Sequence, residues 1–241
     1  MINSTDQGSK RARPSVFVPM AVYVSSYLLP AIALGIPTIL FKWTTDTQFT
    51  HLYIFGTLGQ LLMDIPAVIM FARLRDGFGD DADGRNKVRD RGLSFIVGLV
   101  SALLLGGLRL AVAGKLMGGT FMGGVPAFTQ SLGLAGPWNM IAAVSALLAY
   151  GPGEAVFVVY LILAFDKAVG NPRRLVSWGV IITAVLWALP HIYNVIFFGP
   201  GALSNVLTMI FIGIVMGILL KKTHSSVGPM IFWLLVNGTS A

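Results

Sequence analysis

Apolar positions along the chain fall into seven long runs, at about 16–41, 52–72, 93–114, 139–165, 175–198, 203–220 and 226–240. About 20 mostly apolar residues, rising 1.5 Å each, are needed for a helix to cross a hydrocarbon layer of ~30 Å. The runs therefore predict seven spans, of which the last is short. The first is too long for a signal-peptide core and has no small-x-small cleavage site, so it reads as an anchor. The stretch 115–137 is rich in glycine and repeats Met-Gly-Gly at Met117 and Met122. It is too polar and broken to span, and reads as a loop or a half-inserted segment packed against protein.

Composition sharpens this picture. Of 241 residues, 55% are hydrophobic and 11% charged, less than half the usual charged share of roughly a quarter. A water-soluble globule could not cover its surface with so few charges. The chain has no cysteine, which excludes disulfides, thiolate metal sites and a cysteine nucleophile.

The net charge of +7 is explained by where the basic residues lie. The N-terminal tail carries Lys10, Arg11 and Arg13. The loop after the second run carries Arg73, Arg75, Arg85, Lys87, Arg89 and Arg91, the loop after the fourth Lys167, Arg173 and Arg174, and the loop after the sixth Lys221 and Lys222. Only Lys42 and Lys115 fall on the other side, and Arg109 lies near the outer end of its run, where it can snorkel. The positive-inside rule then places the N-terminus in the cytoplasm and the C-terminus outside. The expected fold is all-α, a polytopic membrane helical bundle of about seven transmembrane helices. Residues 1–15 form a cytoplasmic tail, 16–138 an N-terminal membrane region and 139–241 the core. The stretch from Arg73 to Gly92 reads as a solvated linker; Asp80, Asp81 and Asp83 lack calcium-loop spacing and its bidentate Glu.

Ionisable groups at bilayer depth are costly and are functional candidates. Asp64 stands mid-run before Pro66, where it could bond hydroxyls or freed backbone groups. Glu154 follows Gly151-Pro152-Gly153, which opens the helix beside it. His191 follows Pro190, which removes a backbone bond and can widen the helix. Trp187 at i−4 and Asn194 at i+3 share its helical face. Neither Glu154 nor His191 has a charge nearby on its own helix, so their partners must come from others. Gly213 and Gly217 form a small-xxx-small pair that packs either within the bundle or against another chain.

Three patches of the second half, about 148–240, resemble the CPBP family of CAAX prenyl proteases and bacteriocin-processing membrane proteins. That family has Glu-Glu-x-x-x-Arg, then aromatic-x-x-x-His, then His-x-x-x-Asn/Asp. Trp187 to His191 matches the second patch, and the segment ending Pro229 to Asn237 is similar to the third. The first patch is reduced. Aligning on Phe157 makes Glu154 the second Glu, with Gly153 in place of the first; a shift by one makes it the first, with Ala155 as the second. The Arg position is Val158 or Val159, and the His of the third patch is Trp233. In the family, Glu and His are held to activate water while the second His and Asn support the oxyanion. The resemblance thus implies Glu154 as base, His191 as its partner and Asn237 as oxyanion donor if chemistry survives. Trp187, Asn194, Trp233 and Asp64 are the candidate binding residues.

These departures favour a non-catalytic protein with a CPBP-like core that binds a membrane helix, lipid or prenyl chain, or serves as a subunit or scaffold. The alternatives are an active glutamate-dependent intramembrane endopeptidase and a small proton or cation transporter. No span carries a deep lysine for a retinal Schiff base, and no two of His51, His191 and His224 share a metal motif. Expected are no cofactor, no metal and no nucleic acid; the partners are the bilayer and a membrane or lipidated protein. The expected location is a prokaryotic plasma membrane.

Overall fold

Away from water a backbone must satisfy its own polar groups, which an apolar run achieves by coiling into a helix. The computed structural model describes residues 15–41, 61–72, 84–113, 138–169, 174–192, 195–196 and 199–238, and every regular element among them is helical. The helices are α1 (Phe17–Phe41), α2 (Leu61–Ala72), α3 (Gly84–Ala113), α4 (Trp138–Leu148), α5 (Glu154–Val169), α6 (Trp178–Ala188), α7 (Leu203–Thr223) and α8 (Val227–Gly238). Helices α4 and α5 are joined by a π turn, Ala149–Gly153, so the fourth run is one continuous but interrupted helix. Among the described residues, Arg91–Leu108 and Leu203–Thr223 are long and apolar enough to cross a membrane.

Two sequence expectations need correcting. The stretch read as a linker is helical from Gly84 onwards. Its arginines and lysine, good helix formers, carry α3 beyond the apolar run. Pro190 does not widen the helix: Leu189–His191 is a tighter 3-10 turn closing α6. The widening occurs at Pro152, where two glycines flank the ring and let the backbone bulge.

α5 is the hub. Ala155 through Asp166 are buried on every side, as expected of a helix apolar all round. α1 is tied to α6 by Tyr23, whose hydroxyl donates to the Leu186 carbonyl at 2.7 Å. The rings of Tyr23 and Tyr27 meet Phe157 of α5 at centroid distances of 6.4 and 6.1 Å. Small residues set the closest crossings. A side chain at Gly217 would stand 2.5 Å from a methyl of Val180, and one at Gly213 would stand 3.0 Å from Ala184. Both glycines are thus used inside the bundle, for α7 on α6. Gly98 of α3 lies against the backbone of Gly228 of α8.

Polar groups gather where helix ends meet. Asp166 at the end of α5 pairs with Lys221 near the end of α7, and accepts from the Gly179 backbone N–H at 3.0 Å. Ser177 caps the same start of α6, accepting from Val180 N–H at 3.3 Å. Ser94 of α3 bonds Thr223 at 2.8 Å and accepts from the Gly228 N–H at 2.7 Å. The outer faces are apolar, with Leu103 65%, Leu104 69% and Ile39 76% exposed.

Candidate functional site

The site is built on the π turn. Pro152 has no N–H, so the regular bond of that position is lost. The backbone N–H of Glu154 instead reaches Ala149 O, five residues back. Single π turns of this kind occur often at functional sites. Here the turn delivers Glu154 as the first residue of the buried helix α5.

Three side chains of α8 face the turn. A side chain at Gly151 would lie 2.7 Å from a methyl of Leu234. Trp233 donates its indole N–H to Glu154 Oε2 at 2.7 Å, and Asn237 donates its amide to the same oxygen at 3.3 Å. Residues 233 and 237 are four apart and share one helical face. Trp233 is 4% exposed and Asn237 8%. Trp187 of α6, 2% exposed, meets Trp233 edge-on with ring centroids 4.8 Å apart. His191, at i+4 from Trp187, lies partly buried in the 3-10 turn that ends α6.

Asp64 approaches the turn from the opposite helix. It stands on α2, is 2% exposed, and neither carboxylate oxygen has a hydrogen-bond partner among the described residues. The hydroxyl and backbone partners expected for it are therefore not engaged. Its Oδ2 occupies the space into which a side chain at Gly153 would project. Asp64 and Glu154 are close enough to act on each other electrostatically, and Tyr27 lies within the same reach of both.

The structure thus brings together Glu154, Trp233, Asn237 and Trp187, with Asp64 beside the turn; Asn194 lies outside the described residues. Arg109's side chain and the 115–137 stretch do also. The Arg position of the resemblance is filled by Val158 or Val159, both fully buried. Sequence reasoning missed Asp166, although an acid closing a long apolar run was a visible signal, and the Tyr23/Tyr27 pair at i, i+4. Among the described residues, no three His, Cys, Asp or Glu side chains are grouped to hold a metal.

Residues 135–239 match a family model, Rce1-like, described as type II CAAX prenyl endopeptidase Rce1-like. This part of the chain is similar to the Rce1-like family. The match spans the π turn, α5, both tryptophans and Asn237, so the whole Glu154 cluster lies inside the Rce1-like region, while Asp64 comes from outside it. No curated protein and no solved structure matches the chain. The similarity is to a CAAX-protease-like membrane protein, and it agrees with the resemblance carried by the three sequence patches.

Proposed function

We propose that the protein is a seven-span membrane protein, N-terminus in the cytoplasm, that uses its Rce1-like core to bind a lipidated or prenylated chain or a membrane helix without cleaving it. A positive-inside prokaryotic plasma membrane is the setting this implies. The alternation of spans is supported by the polar node that gathers the ends of α5 and α7 with the start of α6. It agrees with the loop placement of Lys167, Lys221 and Lys222. The exposed leucines and isoleucines of α1 and α3 are suited to lipid contact.

One observation carries the non-catalytic reading: Trp233 and Asn237 both donate to Glu154 Oε2. In the hydrolytic scheme that the resemblance implies, Glu takes a proton from water while donors from the last span stabilise the oxyanion. Here those donors are aimed at the base. An indole is a donor only, so Trp233 cannot accept a proton or hold a water by its nitrogen as an imidazole can. Loss of a single oxyanion donor typically costs ~100 to 1,000-fold in rate.

The second reading, a reduced endopeptidase, is favoured by the retention of Glu154 and Asn237 in contact. The test is cleavage of prenylated and helical membrane peptides by wild type and Glu154→Gln, in detergent and in liposomes. The expected result is no cleavage above background in either, with a prenylated peptide retained by both. Cleavage by wild type that disappears in Glu154→Gln overturns the proposal and makes the protein a protease.

A further inference from the structure

The proposed core has a carboxylate that nothing so far employs. Asp64 is almost wholly buried, yet both its oxygens lack a donor among the described residues. Burying a polar group without a hydrogen bond costs free energy, and an apolar residue at position 64 would avoid that cost. Ser26 and Thr183 are also buried, with hydroxyls that lack a partner among the described residues.

Asp64 is placed, and by a specific fit. Gly153 stands immediately before Glu154, and the direction its side chain would take is filled by the Asp64 carboxylate, with Cγ at 2.8 Å. Under the alignment on Phe157, position 153 is where the family pattern has its first Glu. The carboxylate absent from the α5 segment is thus present in space, contributed by α2, and Gly153 is the vacancy that admits it. Glu154 Oε2 is engaged by α8, whereas the oxygens of Asp64 meet no protein donor.

We propose that Asp64 is a binding residue that completes a two-helix carboxylate centre with Glu154, and that it accepts hydrogen bonds from N–H groups of a bound peptide. The choice of a peptide ligand rests on the proposed function; the pairing of Asp64 with Gly153 does not. Whichever carboxyl of the pair holds a proton, each keeps an oxygen that accepts, and a hydrocarbon chain brings no donor to it. The peptide part of a lipidated chain supplies one.

Two measurements test this. In the first, a photo-crosslinkable farnesylated tripeptide and its backbone N-methylated analogue are titrated against wild type and Asp64→Leu in micelles. Asp64→Leu weakens the parent peptide about fivefold or more, the scale of one buried hydrogen bond, and changes the N-methylated analogue less than about twofold. It also raises the thermal midpoint, because the orphaned carboxylate is removed. Equal effects on both peptides, or a lowered midpoint, overturn the binding role. In the second, the midpoints of Gly153→Ala, Asp64→Ala and the double variant are compared. Gly153→Ala costs less when Asp64 is already alanine, and the two sites are therefore coupled. Strict additivity overturns the spatial substitution. If wild type binds neither peptide, the proposed function fails, and the thermal cycle still decides the Asp64–Gly153 pairing.

Discussion

At the scale of single residues, the site is governed by what each polar atom can accept or donate. Trp233 gives Glu154 Oε2 a short hydrogen bond, and its ring packs edge-on against Trp187. Trp233→Phe keeps most of the ring contact and removes the donor. It is expected to lower stability by about 1–3 kcal/mol, read from reversible unfolding in mixed micelles, while Trp233→Ala costs more through the lost packing. Asp166 illustrates a different balance. Its carboxylate accepts from Gly179 and pairs with Lys221, whose side chain is 11% exposed. Asp166→Ala removes both contacts and leaves the Gly179 N–H without this acceptor, and is expected to destabilise by about 1–3 kcal/mol. Asp166→Asn keeps an acceptor for Gly179 and should cost distinctly less in the same assay.

At the scale of elements, helix crossings depend on glycines whose neighbours are backbone or short side chains. A methyl at Gly98 would run into the Gly228 carbonyl, which cannot turn away. Gly107 lies on the same helix with nothing within 4 Å. Gly98→Ala is therefore expected to lower the thermal midpoint strongly, by about 1–3 kcal/mol or more of overpacking strain. Gly107→Ala should be neutral or slightly stabilising through helix propensity. The helices themselves were legible in the sequence because hydrophobic length is a direct physical requirement of the bilayer. The joints between them were read less well. Pro152 and Pro190 look alike in the sequence, yet one sits in a wide π turn and the other in a tight 3-10 turn. Pro152 has glycines on both sides to absorb the bulge, while Pro190 lies at the end of α6, where a tightened turn costs little. Helix α3 overran its apolar segment because arginine and lysine extend a helix as readily as leucine.

At the scale of the whole molecule, the distribution of basic residues makes a topology prediction that needs no structure. Because the chain has no cysteine, single cysteines introduced at positions 10, 167 and 222 should label only from the cytoplasmic side. Those at 42 and 115 should label only from the opposite side. Labelling of 167 and 222 from opposite faces would contradict both the charge rule and the Asp166–Lys221 pairing.

By itself the sequence determined the material and the candidates. Apolar length set an all-helical membrane fold, and three short patches pointed to a CPBP-like core. The scarcity of charge at bilayer depth singled out Asp64, Glu154 and His191, since an ionisable group there carries a large desolvation cost. Only the tertiary structure decided which groups meet. Residue 233 lies 79 positions from Glu154 and Asp64 lies 90, and no periodicity links side chains on separate helices. The folding of α8 and α2 against the π turn turned a motif that looked depleted into a cluster with a satisfied glutamate and a second, unpartnered carboxylate. Contact of this kind depends on helix rotation and crossing, which are fixed by packing at Gly98, Gly213 and Gly217 and not by the residues at the site.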